Sequence, residues 1–184
     1  MTFRFEVPTD STERLLMETD QLRLAVYTGS FDPITLGHLN VIQRASRLVG
    51  QLIVGVGINI EKQPLFSAEE RVAMIERVTV GCGNVDVRTF TGLAVEFVRE
   101  CQAKVMIRGI RPLTDVAAEF TMLLANRQLA DDVETVFLMA NEELAHVSSS
   151  LIKQITPVTT DAMLARFVPR EIISDIRAKI PGPK

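Results

Sequence analysis

Cysteine and histidine are scarce in this chain, two of each in 184 residues. Cys82 and Cys101 form no C-x-x-C pair and lie near no histidine cluster, so count and spacing argue against a zinc site. They read instead as reduced, buried thiols of a cytosolic protein. A basic surplus is also missing: 20 Lys and Arg against 23 Asp and Glu leave a net charge of −3. That balance lacks the electrostatic footprint of a nucleic-acid binder, and any positive field has to be a pocket rather than a face. The longest strongly apolar run, residues 52–58, is too short to cross a bilayer. Residues 1–21 carry Arg4, Glu6, Asp10, Glu13 and Arg14 and lack the apolar stretch of a signal peptide. The expectation is a cytoplasmic protein with no nucleic-acid or membrane partner. No repeat or low-complexity segment occurs, and the absence of G-x-x-x-x-G-K-[ST] argues against a P-loop ATPase.

What is present is ordinary globular material, 47% hydrophobic and 23% charged. A chain of this length fits one domain that buries roughly two thirds of its unfolded surface. Residues 1–21 read as an extension, with a short amphipathic helix possible at 11–17, and residues 22–184 as the domain. Strands are predicted at 24–27, 52–58, 85–87, 104–107 and 134–139. Helices are predicted at 38–49, after the capping box of Ser67 and Glu70, and at 93–101, 115–129, 149–155 and 170–179. Strands alternating with helices, and apolar on both faces, imply a single doubly wound, Rossmann-like α/β domain with a five-stranded parallel sheet. Ligands of such sheets sit beyond the carboxyl ends of the strands, which directs attention to loops 29–38, 59–66, 108–111 and 141–150.

Four strings in those loops carry chemistry. In Gly29-Ser30-Phe31-Asp32-Pro33-Ile34-Thr35-Leu36-Gly37-His38, the first glycine permits close approach to a phosphate. The histidine falls at a helix start beside free N–H groups. The alternative is a capping loop with a surface histidine. Lys62, in Glu61-Lys62-Gln63-Pro64-Leu65-Phe66, is either a solvated loop lysine or a phosphate ligand. Arg108-Gly109-Ile110-Arg111 offers forked hydrogen bonds to phosphate, or two surface arginines that pair with Asp115 or Glu119. Val147-Ser148-Ser149-Ser150 opens a helix, either as a cap or as a set of donors for an anion. Gly55-Val56-Gly57 begins like a dinucleotide fingerprint, but Ile60 breaks it and the glycines lie inside a strand, so it reads as structural.

Taken together, these strings resemble the nucleotidyltransferase superfamily with an (H/T)-x-G-H motif, here Thr35-Leu36-Gly37-His38. Within it the wording is similar to the phosphopantetheine adenylyltransferase family, over residues 22–180. The resemblance implies transfer of the adenylyl group of ATP to 4′-phosphopantetheine, giving dephospho-CoA and pyrophosphate in coenzyme A biosynthesis. It implies catalytic roles for His38, Lys62, Arg108 and Ser30. ATP contacts would come from Ser30, Phe31, His38, Gly109, Ile110, Arg111, Glu119, Leu144, Ala145, His146, Val147, Ser148, Ser149 and Ser150. Ser30, Lys62, Ala94 and Arg108 would bind the acceptor. Mg²⁺ would accompany ATP, held mainly by its phosphates, with no metal site on the protein. A homohexamer and feedback inhibition by CoA are further implications.

The chain departs from the family pattern at Val116-Ala117-Ala118, at Thr121 and at Leu144, which bears on adenine contacts and subunit packing. One alternative is an enzyme of the same fold with another acceptor, such as nicotinamide or nicotinate mononucleotide. Those enzymes usually have threonine in the serine triplet, so three serines favour the pantetheine branch. A nucleotide-binding regulator without activity is the other alternative.

Overall fold

The first strand, β1 (Leu24–Gly29), is buried on both faces because alternate residues feed two separate cores. Ala25 and Tyr27 point to one, Val26 to the other. The structure is a computed structural model, and it describes residues 24–59, 63–110 and 116–183. Lys62, Arg111 and the extension 1–21 lie outside the described residues, as does the helix expected at 11–17.

After β1 come α1 (Leu36–Ser46), β2 (Gln51–Gly57), α2 (Ala68–Thr79), β3 (Val85–Phe90), α3 (Ala94–Glu100) and β4 (Val105–Ile110). The order continues with α4 (Val116–Leu129), β5 (Glu134–Met139), α5 (Ser149–Ile155), α6 (Asp161–Leu164) and α7 (Ile173–Lys179). All strand pairings are parallel, in the order β3-β2-β1-β4-β5. The chain reverses its direction of winding between β1 and β4, the position where doubly wound sheets open a ligand crevice. Here the crevice has a simple cause. The β1–β4 ladder runs only from Ala25↔Val105 to Tyr27↔Ile107, while β4 stays paired with β5 as far as Ile110↔Met139. The two central strands therefore part company just before Thr28 and Arg108.

One core packs Ala25, Tyr27, Leu52, Val54 and Val56 against Val41, Ile42, Met74, Ile75, Ile152 and Ile176 of the helices. The other packs Val26, Ile53 and Met106 against Val95, Phe97 and Val98 of α3. A Cβ placed on Gly55 would lie 2.6 Å from the Phe97 ring, which stacks on Phe90 at 4.6 Å between centroids. Gly55 thus makes room for an aromatic side chain, as the structural reading of Gly55-Val56-Gly57 requires.

Several expected boundaries move. Helix α1 begins at Leu36 rather than residue 38, because Thr35 is extended (φ −121°, ψ 168°) and caps it, and it ends at Ser46. Strand β3 runs on to Phe90 because β2 pairs with it throughout, from Leu52↔Val85 to Gly57↔Phe90. Arg108, Gly109 and Ile110 are part of β4 rather than of a loop after it, held there by β5. The helix expected at 170–179 opens with a 3₁₀ turn, Arg170–Ile172, before α7. Cys101 is buried, as expected, whereas Cys82 is only half-buried in a 3₁₀ turn at the end of α2; both thiols are free. Burial pushes the Cys101 thiol above its ordinary pKa, so it stays protonated.

Candidate active site

At the parting of β1 and β4 lies a cavity of about 280 Å³. Its wall takes residues from three separated segments: Thr28, Gly29, Ser30, Phe31, Gly37 and His38 from the first; Arg108, Gly109, Ile110 and Glu119 from the second; Ser148, Ser149 and Ser150 from the third. Tyr27, Val41 and Ala140 complete it. His38 and Arg108, seventy residues apart in sequence, share one concavity.

The first segment turns sharply. A Cβ on Gly29 would lie 2.9 Å from the Phe31 ring, and Phe31 itself has a φ of +47°, a conformation non-glycine residues seldom adopt. Its ring is 1% exposed and meets Tyr27 and His38 edge-on at 5.3 and 5.1 Å. Burial of a large ring compensates the unfavourable backbone. Thr35 then caps α1 by accepting the N–H of His38 on its hydroxyl at 3.3 Å. In return the N–H of Thr35 donates to Nδ1 of His38 at 3.2 Å. A backbone N–H can only donate, so Nδ1 accepts, and the neutral imidazole carries its proton on Nε2. His38 thus takes part in the cap, as one reading expects, but it lines the cavity rather than the surface, and the cap sets its tautomer.

Arg108 is similarly occupied. Its Nε and Nη2 donate to the two carboxylate oxygens of Glu119 at 2.9 and 2.7 Å, and Nη1 donates to the Thr28 carbonyl at 2.9 Å. The arginine thus spans the gap where the β1–β4 ladder has ended. Pairing with Glu119 was the competing reading of this arginine, and it holds together with placement at the cavity. The planar guanidinium is fixed in orientation on two sides. Gly109 passes close to Tyr27, since a Cβ there would lie 2.9 Å from the phenol oxygen.

At the third segment, Ser148 caps α5, its hydroxyl accepting the N–H of Leu151 at 3.1 Å. Ser149 donates to the Pro33 carbonyl at 2.8 Å, tying this helix to the first segment. Val147 is buried in the core, and Leu144, the last residue of a 3₁₀ turn, Glu142–Leu144, packs against that core. His146 packs edge-on to Phe167 at 5.9 Å. None of residues 144–147 supplies the cavity wall. Ala94 does not line it either. It lines a smaller neighbouring cavity with Met106, Leu123 and Phe137, and Arg108 and Glu119 form the partition common to both.

Three residues given no role by motif reasoning prove central to the architecture. Asp32, 6% exposed, accepts the N–H groups of Leu65 and Phe66, each at 2.9 Å, and pairs with Lys153. Burial alone would raise the Asp32 pKa, but the Lys153 ammonium and the two N–H groups outweigh it and hold the carboxyl below its ordinary value. Arg71, 3% exposed, donates to the carbonyls of Ser30 at 2.9 Å and Gly57 at 3.0 Å. Arg71 did leave a trace in sequence: it stands on the stripe of α2 that includes Met74 and Ile75, where a charge must find partners. Asp32 and Lys153 left none, since 121 residues separate them.

Among the described residues, no helix is long and apolar enough to cross a membrane, and no group of three His, Cys, Asp or Glu could hold a metal ion.

Comparison with known proteins bears on the family and the fold. Residues 26–155 match the cytidylyltransferase-like family model. A phosphopantetheine adenylyltransferase of Rhodopirellula baltica is 60% identical over 87% of this chain and 90% of its own length. A Clostridium botulinum protein of the same name is 48% identical over 89% of this chain and 98% of its own. A solved structure from Vibrio parahaemolyticus, assigned to nicotinate-nucleotide adenylyltransferase, aligns with a TM-score of 0.57 at 16% identity, over 85% of this chain and 91% of that one. At that identity it speaks for the fold alone.

Proposed function

Because the chain belongs to the phosphopantetheine adenylyltransferase family, we propose that it transfers the adenylyl group of ATP to 4′-phosphopantetheine, giving dephospho-CoA and pyrophosphate. The observation that carries the reading is the meeting of His38, Arg108 and the Ser148–Ser150 helix start in one cavity at the strand ends. An oxygen of the acceptor phosphate attacks the α-phosphorus of ATP, the bond from that phosphorus to the bridging oxygen breaks, and pyrophosphate leaves in line. No covalent enzyme intermediate is needed, so positioning and charge stabilisation supply the rate.

In this mechanism the Nε2–H of His38 donates to an oxygen of the transferring phosphate. Ser30 and Arg108 hold the acceptor's phosphate, and Lys62 neutralises the phosphates of both substrates, a role the family resemblance supports. Gly109 to Arg111, Glu119 and Ser148 to Ser150 would form the ATP side, with Phe31 against the histidine; residues 144–147, expected there too, stand outside the cavity wall. The smaller cavity beside Ala94, about 60 Å³, would take only the start of the acceptor's uncharged arm, between Met106, Leu123 and Phe137 on one hand and Arg108, Glu119, Asn126 and Thr135 on the other. Mg²⁺ enters as part of the substrate, on the phosphates of ATP. Asp32 and Glu119 are paired with Lys153 and Arg108, so neither is expected to hold the ion.

The reading includes a cytoplasmic location, inhibition by CoA and a homohexamer. The exposed apolar residues of α4 support assembly: Phe120 and Leu124 on one side of the helix, and Met122 and Leu129 on the other, are each about half exposed or more. The test of the reaction is pyrophosphate release with ATP against a panel of acceptors. Turnover with 4′-phosphopantetheine is expected. Preference for nicotinamide or nicotinate mononucleotide would move the chain to a different branch, and ATP binding without turnover on any acceptor would make it a regulator.

A further inference from the structure

The loop between β1 and α1 is gripped by two side chains of α5, Ser149 from the cavity wall and Lys153 from outside it. Lys153 of α5 pairs with the carboxylate of Asp32, which also receives the N–H groups of Leu65 and Phe66. One helical turn earlier, Ser149 donates to the carbonyl of Pro33, the next residue along the same loop. Residues four apart lie on one face of a helix. Ser149 and Lys153 are such a pair, and both land on adjacent loop residues. Two attachments a turn apart fix the distance of α5 from the loop and also its rotation about its own axis.

We propose that Asp32 and Lys153 are positioning residues for adenylyl transfer: their ion pair sets the separation between the acceptor side of the site at Ser30 and the nucleotide side at the Ser148–Ser150 helix start. This inference rests on the function proposed above. Asp32 follows Ser30 by two residues, and Lys153 lies about one turn below the serines, roughly 5 Å along the helix. The pair therefore joins the two segments that carry the donors, without itself lining the cavity. An in-line transfer between two anions is sensitive to how far apart they are held, and a misplacement of about 1 Å can cost on the order of 100-fold in rate. Each donor group is built by its own segment: Arg71 and the Phe31 turn shape the one at Ser30, and the Ser148 cap shapes the other. Loss of the ion pair leaves each able to bind its own phosphate and impairs the step that needs both in register.

Asp32 is nearly buried, and an amide in its place would turn an NH₂ towards a backbone N–H, so Asp32→Asn confounds folding with function. Lys153 is the better probe, because its side chain is 38% exposed and its stem is replaceable. Wild type, Lys153→Met and Lys153→Arg are compared by kcat, KM for each substrate, ATP affinity by calorimetry and thermal midpoint. The expected result for Lys153→Met is a kcat lowered roughly 10- to 100-fold, with ATP affinity within about threefold of wild type, and most of the lost rate restored in Lys153→Arg. Three results overturn the inference: a kcat within about twofold of wild type, a fall in kcat matched by an equal fall in ATP affinity, or no rescue by arginine. The wild-type control separates the two readings. If it prefers another phosphorylated acceptor, the acceptor assignment fails and the same ratio of Lys153→Met to wild type decides the positioning role on that acceptor. If it turns over no acceptor, both fall.

Discussion

Thr35 donates its backbone N–H to Nδ1 of His38 at 3.2 Å, and the N–H of His38 returns to the Thr35 hydroxyl at 3.3 Å. This reciprocal bond caps α1 and holds the imidazole with its proton on the far nitrogen, the one that would donate to a phosphate oxygen in the proposed reaction. Removing the ring in His38→Ala is expected to lower kcat roughly 10²–10³-fold, the cost of a single oxyanion donor. Stability should change far less, by about 0.5–1.5 kcal/mol for one capping bond. Pyrophosphate release together with a thermal melt checks both, and near-normal turnover contradicts the assigned role.

Arg108 is held by Glu119 through two parallel bonds and by the Thr28 carbonyl through a third. A lysine cannot make that fork, because its charge is a single point on a flexible stem. Arg108→Lys is expected to lose about tenfold or more in kcat/KM for the acceptor while ATP affinity changes little. Steady-state kinetics with each substrate varied in turn is the check. An equal loss on both substrates would place Arg108 elsewhere in the mechanism.

Gly109 has no room for a methyl group, since its Cβ would lie 2.9 Å from the Tyr27 phenol oxygen and 3.4 Å from Val41. Gly109→Ala is expected to destabilise the fold by about 1–3 kcal/mol. Adding Tyr27→Phe should recover part of that loss, because the nearest clashing atom is then gone. A double-mutant cycle on urea midpoints measures the coupling, and strict additivity would show that the strain lies elsewhere.

The Asp32 carboxyl has its folded pKa lowered, burial notwithstanding, by Lys153 and the N–H groups of Leu65 and Phe66. A depressed pKa contributes stability that is fully present above the unfolded value, about 3.9, and is lost as pH falls through the folded value. The stability gap between wild type and Lys153→Met should therefore be steady above about pH 5 and close below about pH 4. Urea midpoints across that range test the sign, and a gap that persists to about pH 2 would assign the contribution to packing by the lysine stem.

The apolar face of α4 predicts association. Val116, Phe120 and Leu124, four residues apart, form one exposed apolar stripe, with Phe120 also stacked on Phe137, and Met122 and Leu129 are exposed on the opposite side; the more covered stripe is Glu119, Leu123 and Asn126. Light scattering at micromolar concentration should give the mass of an oligomer. Leu124→Glu should reduce it while leaving the monomer folded, because the side chain is 65% exposed. A monomeric mass for the unaltered chain would overturn the assembly.

Strand β5, the capping box at Ser67 and helix α5 were legible residue for residue, because each depends on local signals: a short continuous apolar run, a serine three residues before a glutamate, a serine run before an apolar helix. The cavity members His38, Arg108 and Ser148 to Ser150 were legible as strings whose spacing resembles a family. What lay beyond local signals was how those residues are held. The start of α1 at Leu36 depends on the Thr35–His38 exchange, and the run of β4 through Arg108 depends on β5 lying beside it.

Composition, alternation and motif order by themselves determined that the chain is a doubly wound α/β domain whose chemistry lies at the strand ends, because apolar period and turn chemistry act over a few residues. Tertiary structure alone decided that Asp32 meets Lys153, that Arg71 braces Ser30, and that Arg108 bridges to Thr28. Each is a buried or half-buried charge whose partner comes from a distant part of the chain. Such a charge is stable only where the fold delivers its counter-charge or carbonyl, and nothing in the neighbouring residues announces which one will arrive.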